Sequence, residues 1–449
     1  MRTFNLFAES NDVCQSNKST MPLSEKPTYK KGSSNRLSKV GMIAAPILVV
    51  LSSGHAEAGP RGSEFDLTLT PAAGGMEGVG IVRPQDPVAM LFGNPATMTQ
   101  LNGSFAFTLG ASYVSPDLQA TNSSTNPNPF VAPGAHGKSD LTDAALPHAA
   151  ALHRVNDKWV IGAGVTGVSG LGSDFRDEPG FPNLIADLKL FGANVVAGYQ
   201  VTPELSVGAA FTLGIGALQA GLLENSASVN GFGVGGTVGA TYDFGLLQIG
   251  GTYKAPMEID YDKVVQTAPG VHDTLTLEQP QEVTFGIATT DLISKNTLIE
   301  LNYRFKNWEE ASGYKDFWQD QHVVSLGAQH IFPTSVGAIT ARFGYSYGSK
   351  LLKNGNDLGN SFAGVRTLNV PGAGAVPISP ALIQAAQATI TDGYWRQSVS
   401  FGLGYNFTKE LRLDANTSYA YDGENTTVGS FKVDGSLFTA GMGLTWTFE

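Results

Sequence analysis

The side chains best suited to acid–base or metal chemistry are few in this chain, and their spacing works against it. Of the seven histidines, His148 and His153 fall in one alternating stretch, where an odd spacing sends them to opposite faces of a strand. His322 and His330 would share a face but lie roughly 26 Å apart along an extended chain, too far to share a proton or a metal ion. The single cysteine, Cys14, forms no thiolate pair, and no serine has an evident base partner in sequence. The residues therefore point to no catalytic centre, no cofactor and no metal site. What they offer instead is desolvation chemistry. Leu91, Phe92 and Met98 lie ahead of the first strand, and Phe317, Trp318, Leu382 and Ile383 lie in long connections. Such groups recover about 0.8 kcal/mol for each CH₂ of an apolar molecule taken out of water.

The elements that must position them alternate with period two. In 398–407, Val399, Phe401, Leu403, Tyr405 and Phe407 oppose Ser398, Ser400, Gly402, Gly404 and Asn406; in the next stretch Leu411, Leu413, Ala415, Tyr419 and Tyr421 oppose Arg412, Asp414, Asn416 and Ser418. The last stretch sets Phe438, Ala440, Met442, Leu444, Trp446 and Phe448 together, and the first sets Phe105, Phe107, Leu109, Ala111 and Tyr113 together. Stretches of about ten residues suit a tilted strand crossing a bilayer, whereas soluble strands average about five or six.

Short turns fall at Asn156 and Asp157, at 202–204, 244–246, 291–296, 332–336 and 408–410, with the first read as a two-residue hairpin tolerating positive φ. Long connections fall at 116–143, 169–185, 218–230, 261–280, 306–321, 348–394 and 423–435. Short and long alternate, so the count predicts an all-β fold, a fourteen-stranded antiparallel transmembrane barrel with both ends on the short-turn side. Closure leaves no unpaired edge in lipid. Glu300, Asn302, Arg304 and Arg342 fall on the polar face and are expected inside, since a basic residue facing lipid at the midplane costs roughly 2 to 4 kcal/mol.

Arg36 and Lys39 precede the apolar run 40–51, and Ala56-Glu57-Ala58 follows, the pattern of a secretory signal cleaved after Ala58. The segment before it is long for such a leader, and Met21 is a candidate start. Residues 1–58 hold Cys14, seven basic and four acidic residues, so the remainder is cysteine-free and three charges more acidic than the whole chain's −11. That balance argues against a nucleic-acid partner. Residues 59–103 do not alternate, and their apolar patch of Val88, Met90, Leu91, Phe92 and Met98 predicts a plug inside the barrel, 104–449, rather than a disordered linker.

The segment Phe92-Gly93-Asn94-Pro95-Ala96-Thr97-Met98, ahead of fourteen strands, resembles the N-terminal hatch of the FadL-type family, outer-membrane transporters of long-chain fatty acids and aromatic hydrocarbons. The run from Asn156 to Val165 followed by Gly170-Leu171-Gly172-Ser173-Asp174-Phe175 is similar to that family's second hairpin and following loop. Tyr253-Lys254-Ala255-Pro256 and Asn307-Trp308 resemble it more faintly. The chain departs from the family pattern at Thr97, where glycine is usual, and at Ser169, where phenylalanine is usual. It also ends on Glu449, with the aromatic Phe448 penultimate.

The resemblance implies a protein of the Gram-negative outer membrane, taking up hydrophobic small molecules by external capture, a hatch-gated pocket and sideways exit near the third strand. It places Asn94, Pro95 and Ala96 in the hatch gate and Gly170, Leu171 and Gly172 beside the lateral opening. It implies a monomer whose partners are lipid, lipopolysaccharide and the barrel assembly machinery. Leu91, Phe92 and Met98 are expected either to line the pocket or to pack the plug. Ser379 and Pro380 predict a capped helix carrying Leu382 and Ile383, for external capture or for loop stability alone. Phe317 and Trp318, with Trp308 and Tyr314, are either capture contacts or, more strongly, part of the interfacial aromatic belt. The rival reading is a water-filled general porin; an adhesin built on the long loops is a weaker one.

Overall fold

The computed structural model describes residues 65 and 67–449 apart from 126–130, 142, 182–183, 222–226, 269, 336, 354–365, 371–373, 391–394 and 422–425. The expected leader, 1–58, lies outside the described residues. Fourteen strands form the wall: β1 Phe105–Asn122, β2 Ala144–Arg154, β3 Trp159–Asp174, β4 Ile185–Gln200, β5 Leu205–Gly221, β6 Val229–Asp243, β7 Leu247–Lys254, β8 Glu282–Thr290, β9 Thr297–Lys306, β10 Gln321–Thr334, β11 Gly337–Gly348, β12 Gln397–Asn406, β13 Leu411–Tyr421 and β14 Phe431–Phe448. Each pairs antiparallel with its neighbours in sequence, and β14 closes on β1 from Phe105↔Phe448 to Asn122↔Phe431. The barrel has the fourteen strands that the turn count predicts.

The greasy faces point outward. Leu109, Phe211, Phe232, Phe285, Phe401, Leu403 and Met442 are among the exposed apolar side chains, while Glu300, Asn302, Arg304 and Arg342 are buried inside. This is the arrangement that lipid outside and a filled lumen require. Several strands outrun their expected ends. β1 passes through Pro116, β3 runs six residues beyond the expected 168, and β14 begins at Phe431. Above the membrane the outer face no longer has to be apolar, so the alternation stops where the ladder does not.

The turn at Asn156 differs from expectation. β2 ends at Arg154 and β3 starts at Trp159, neither Asn156 nor Asp157 takes a positive φ, and Asn156 Oδ1 accepts the N–H groups of Lys158 and Trp159, both at 2.9 Å. An asparagine side chain imitating a backbone turn does the work that a tight hairpin with positive φ would otherwise do. The turns at Thr202 and Thr408 use a hydroxyl in the same way, each accepting from the residues two and three ahead.

Among the described residues, four long connections carry structure of their own, two of them only a short strand, His136–Lys138 on β1 and Thr426–Val428 on β14. A hairpin of Met257–Ala268 and Val271–Gln279 leans on β5 and β6, and the helix α1 Pro380–Ile390 follows a small hairpin in the connection before β12. The helix begins as its sequence predicts, with Ser379 accepting from Leu382 and Ile383.

The hatch and the candidate hydrophobic pathway

Ahead of β1 the chain enters the lumen and fills it. From 67 to 98 every residue is buried except Arg83, Pro84 and Phe92, which are partly exposed; a linker in the periplasm would not be. The hatch contains a short helix, Pro87–Phe92, capped by Asp86, whose carboxylate accepts from Ala89 N at 2.8 Å and Ala72 N at 3.1 Å. Burial pushes the Asp86 carboxyl above its usual range despite these donors.

Asn94 is the cap of the following turn, Pro95–Gln100. It is fully buried, accepts from Ala96 N at 3.0 Å, and donates to Ile81 O at 2.8 Å and to Ala240 O of β6 at 3.2 Å. Thr97, standing where the family usually has glycine, keeps the turn by donating its hydroxyl to Asn94 O at 2.6 Å. The wall makes room for this turn with glycine. Gly198, Gly208 and Gly239 pair across β4, β5 and β6. A Cβ on Gly208 would come within 2.4 Å of Pro95 C, and one on Gly239 within 2.1 Å of Asn94 Oδ1. Glycine within a strand often marks such a close backbone approach. Sequence reading missed this row, and its signal was glycine on the inward face of strands that are otherwise regular.

Polar side chains of the wall pin the hatch around the lumen. Glu300 of β9 accepts from Val82 N at 3.0 Å and Arg83 N at 2.9 Å. Ser398 and Ser400 of β12 hold Glu77, and Asn416 of β13 donates to Thr70 O at 2.6 Å and Pro71 O at 3.0 Å. Arg154 of β2 donates to Thr99 O at 3.0 Å and Leu101 O at 2.6 Å. Replacing Glu300 with alanine should leave the Val82 and Arg83 amides without their acceptor while the barrel persists. The expected result is hydrogen exchange at these two amides about tenfold or more faster, since charge-assisted bonds contribute roughly 1.5 to 3 kcal/mol; unchanged protection there would refute the contact.

The wall itself is incomplete between β2 and β3. Their pairing runs only from Ala149↔Val165 to Arg154↔Val160, although β2 starts at Ala144 and β3 continues to Asp174. Beyond Val165, β3 skips Val168 in its register with β4, and Val168 O accepts from Phe65 N of the hatch at 3.0 Å. The window closes again above, where Asp140 N donates to Asp174 O at 2.7 Å and Asp174 N to Ser139 Oγ at 2.9 Å. Gly170, Leu171 and Gly172 lie on the window's β3 edge, paired with Lys189, Leu188 and Asp187 of β4. Gly170 and Gly172 are buried.

The structure divides the candidate pocket residues. Phe92 lines a cavity of about 70 Å³ together with Val168, Met257, Asn194, Lys254 and Glu282. Leu91 is buried against wall glycines 162 and 164, and Met98 against Gly198, so both pack the hatch onto the wall and neither lines that cavity. The four residues expected to serve external capture do come together. Phe317, Trp318, Leu382 and Ile383 are buried in one cluster that also holds Trp308, Tyr314, Tyr261 and Met257, and Gln387 of the helix donates to Phe317 O at 2.6 Å. The belt reading of the aromatic loop is therefore wrong. Trp308 and Trp318 meet edge to face with centroids 4.6 Å apart, and both are fully buried. The loop turns inward over the lumen because four large rings gain more from one another than from an interface that the strand aromatics already occupy. His148 is buried and His153 exposed, as their odd spacing requires.

Residues 72–291 match the family described as outer membrane protein transport protein (OMPP1/FadL/TodX). Residues 72–291 are thus of the FadL/TodX family. The matched residues run from the hatch through the window to the end of β8. Among solved structures, the chain is similar to the Pseudomonas putida toluene transporter TodX, at 19% identity and a TM-score of 0.59 over 86% of this chain and 100% of that one. It is similar to the Ralstonia pickettii toluene transporter TbuX at 17% and 0.57, again over 86% and 100%. A Pseudomonas aeruginosa FadL homologue aligns at 13% and 0.60 over the same shares. At such identities the likeness carries the fold. No curated protein matches the sequence. A FadL/TodX protein with a closed barrel is a transport protein of the Gram-negative outer membrane, and a general porin is set aside.

Proposed function

We propose that this protein takes up hydrophobic small molecules of the kind suggested by its toluene-transporting and FadL-homologous neighbours, aromatic hydrocarbons or long-chain fatty acids, and releases them sideways into the membrane. The observation that carries the reading is one continuous line of apolar contacts. The outer aromatic cluster includes Met257; Met257 and Phe92 line the same cavity; and that cavity is also lined by Val168, the residue at which β3 breaks register beside the window. The helix α1 ties the outer cluster to the window, since Ser173 of β3 donates its hydroxyl to Thr389 O. Leu382, Ile383, Phe317 and Trp318 receive the cargo, the turn of Asn94, Pro95 and Ala96 fixes the hatch beneath it, and Gly170, Leu171 and Gly172 border the exit. The protein acts as a monomer without chemical conversion of its cargo, among lipid and lipopolysaccharide, after insertion by the barrel assembly machinery.

The test is uptake of a radiolabelled hydrophobic compound by cells carrying wild type or Gly170→Trp. A bulky ring on the window edge should cut the uptake rate roughly tenfold, while the barrel still shifts its gel mobility on heating as a folded one does. Unchanged uptake would sink the lateral route.

A further inference from the structure

The cavity beside Phe92 is not purely apolar, and its polar groups are unevenly satisfied. Asn194 is 4% exposed; its Nδ2 donates to Leu91 O at 3.0 Å, and its Oδ1 is buried with no hydrogen-bond partner. A buried acceptor left unpaired forfeits the hydrogen bond it had with water. Glu282 lines the same cavity, with its carboxylate tied to Arg304 at 3.1 Å and Thr284 at 3.0 Å. Lys254, half-exposed, stands 3.5 Å from Glu282, a separation that leaves ammonium N–H groups to give elsewhere. The cavity thus presents one buried acceptor without a donor and, beside it, an ammonium with N–H groups to spare.

A hydroxyl carries one proton to give and two lone pairs to receive. A methyl group or a bare ring would leave Asn194 Oδ1 as it is. A carboxylate could accept from Lys254 but has no proton to give Asn194 Oδ1. The volume fits the same choice. About 70 Å³ holds a polar head and not a whole ring, for which a cavity of about 150 Å³ is known to suffice. The body of the cargo would then lie against Phe92, Val168 and Met257.

We infer that this cavity is a hydroxyl-recognition site, so that the preferred cargo is a hydroxylated hydrophobic molecule, a phenol or an alcohol, rather than a bare hydrocarbon or a carboxylate. The inference rests on the proposed uptake of hydrophobic molecules and narrows its substrate class. Its test compares three probes that share one ring, toluene, 4-methylphenol and 4-methylbenzoate, by calorimetric titration into the full-length, detergent-extracted protein.

The expected result is 4-methylphenol binding about tenfold tighter than either of the others, the effect of one hydrogen bond to a buried group otherwise unpaired. Asn194→Leu should bring the ratio of 4-methylphenol to toluene affinity close to one. Because Asn194 also holds Leu91, Lys254→Met serves as the second variant; it leaves that tie untouched and should shrink the ratio severalfold. Equal binding of toluene and 4-methylphenol, tightest binding of 4-methylbenzoate, or a phenol preference that survives both variants would each overturn the inference while leaving hydrophobic uptake standing. Failure of all three probes to bind a barrel that still shows its heat-dependent gel shift would instead remove the uptake reading, and this inference with it.

Discussion

Gly208→Ala is expected to turn a nearly silent barrel into a steadily conducting one. The added methyl carbon would stand 2.4 Å from Pro95 C, 2.5 Å from Pro95 O and 2.6 Å from Ala96 N. All three are backbone atoms, so no side-chain rotation relieves the contact. Overpacking of this kind typically costs about 1 to 3 kcal/mol and occasionally more, and either the wall or the hatch must give. The wall is the stiffer partner, because β5 is bonded along its length to β4 and β6, from Ile185↔Gly221 to Gln200↔Ser206 and from Leu205↔Tyr242 to Leu218↔Val229. Alanine also costs a strand less than glycine does. The turn of Asn94, Pro95 and Ala96 should therefore leave its seat, taking with it the bonds from Asn94 to Ile81 and Ala240. Planar-bilayer recordings would show the change as continuous ion flow where the wild type passes little. Gly251→Ala supplies the control, since its Cβ would meet only ordinary contacts of 3.4 Å and more, the nearest being the Phe285 ring. An assembled Gly208→Ala barrel as quiet as the control would show that the hatch is not seated there.

The wall was legible because lipid leaves the sequence little choice. Every membrane-level strand must alternate, so Phe401 and Leu403 announce their outward face and Arg342 its inward one. The same physics explains where reading failed. Beyond the bilayer the constraint lifts, and β1 and β3 continue through sequence that alternates no longer. The glycine-rich β4, β5 and β6 alternate only weakly because their inward positions are emptied for other chain segments. Gly198, Gly208 and Gly239 are occupied by the hatch turn, and Gly214, Gly216, Gly231 and Gly233 by Met257, Ile259 and Tyr261 of the outer hairpin. No local pattern says what fills a glycine's space. The hatch motif was visible, yet its grip was not, since Glu300 meets Val82 and Arg83 across more than 200 residues of chain. Trp308 and Trp318 were misread for a similar reason. An aromatic residue at the end of a strand looks the same whether it faces lipid or folds back over the lumen.

Asp414→Ala should be the most destabilising single change on the inner wall. Arg342 Nη1 lies 2.8 Å from Asp414 Oδ1, and each side chain is only 1% exposed. Arg412 takes the other oxygen at 2.6 Å and is 26% exposed. Removing one partner of a buried pair strands the other charge and costs about 3 to 5 kcal/mol. Arg342 keeps its Nε bond to the neutral Gln329 Oε1 at 2.7 Å and a through-space attraction to Asp86, neither of which replaces the bonded carboxylate. Arg412 also donates to Gln85 O of the hatch, so the loss of Asp414 loosens wall and hatch together, unlike the change at Gly208, which acts on the hatch alone. In urea titrations followed by gel mobility, the unfolding midpoint of Asp414→Ala should fall by the equivalent of that energy. The double variant Arg342→Met, Asp414→Leu should recover most of it, because two apolar side chains of similar reach need no partner. If the double variant were as unstable as Asp414→Ala, the penalty would come from lost packing and not from a stranded charge, and the account of these three residues as an electrostatic unit would fail.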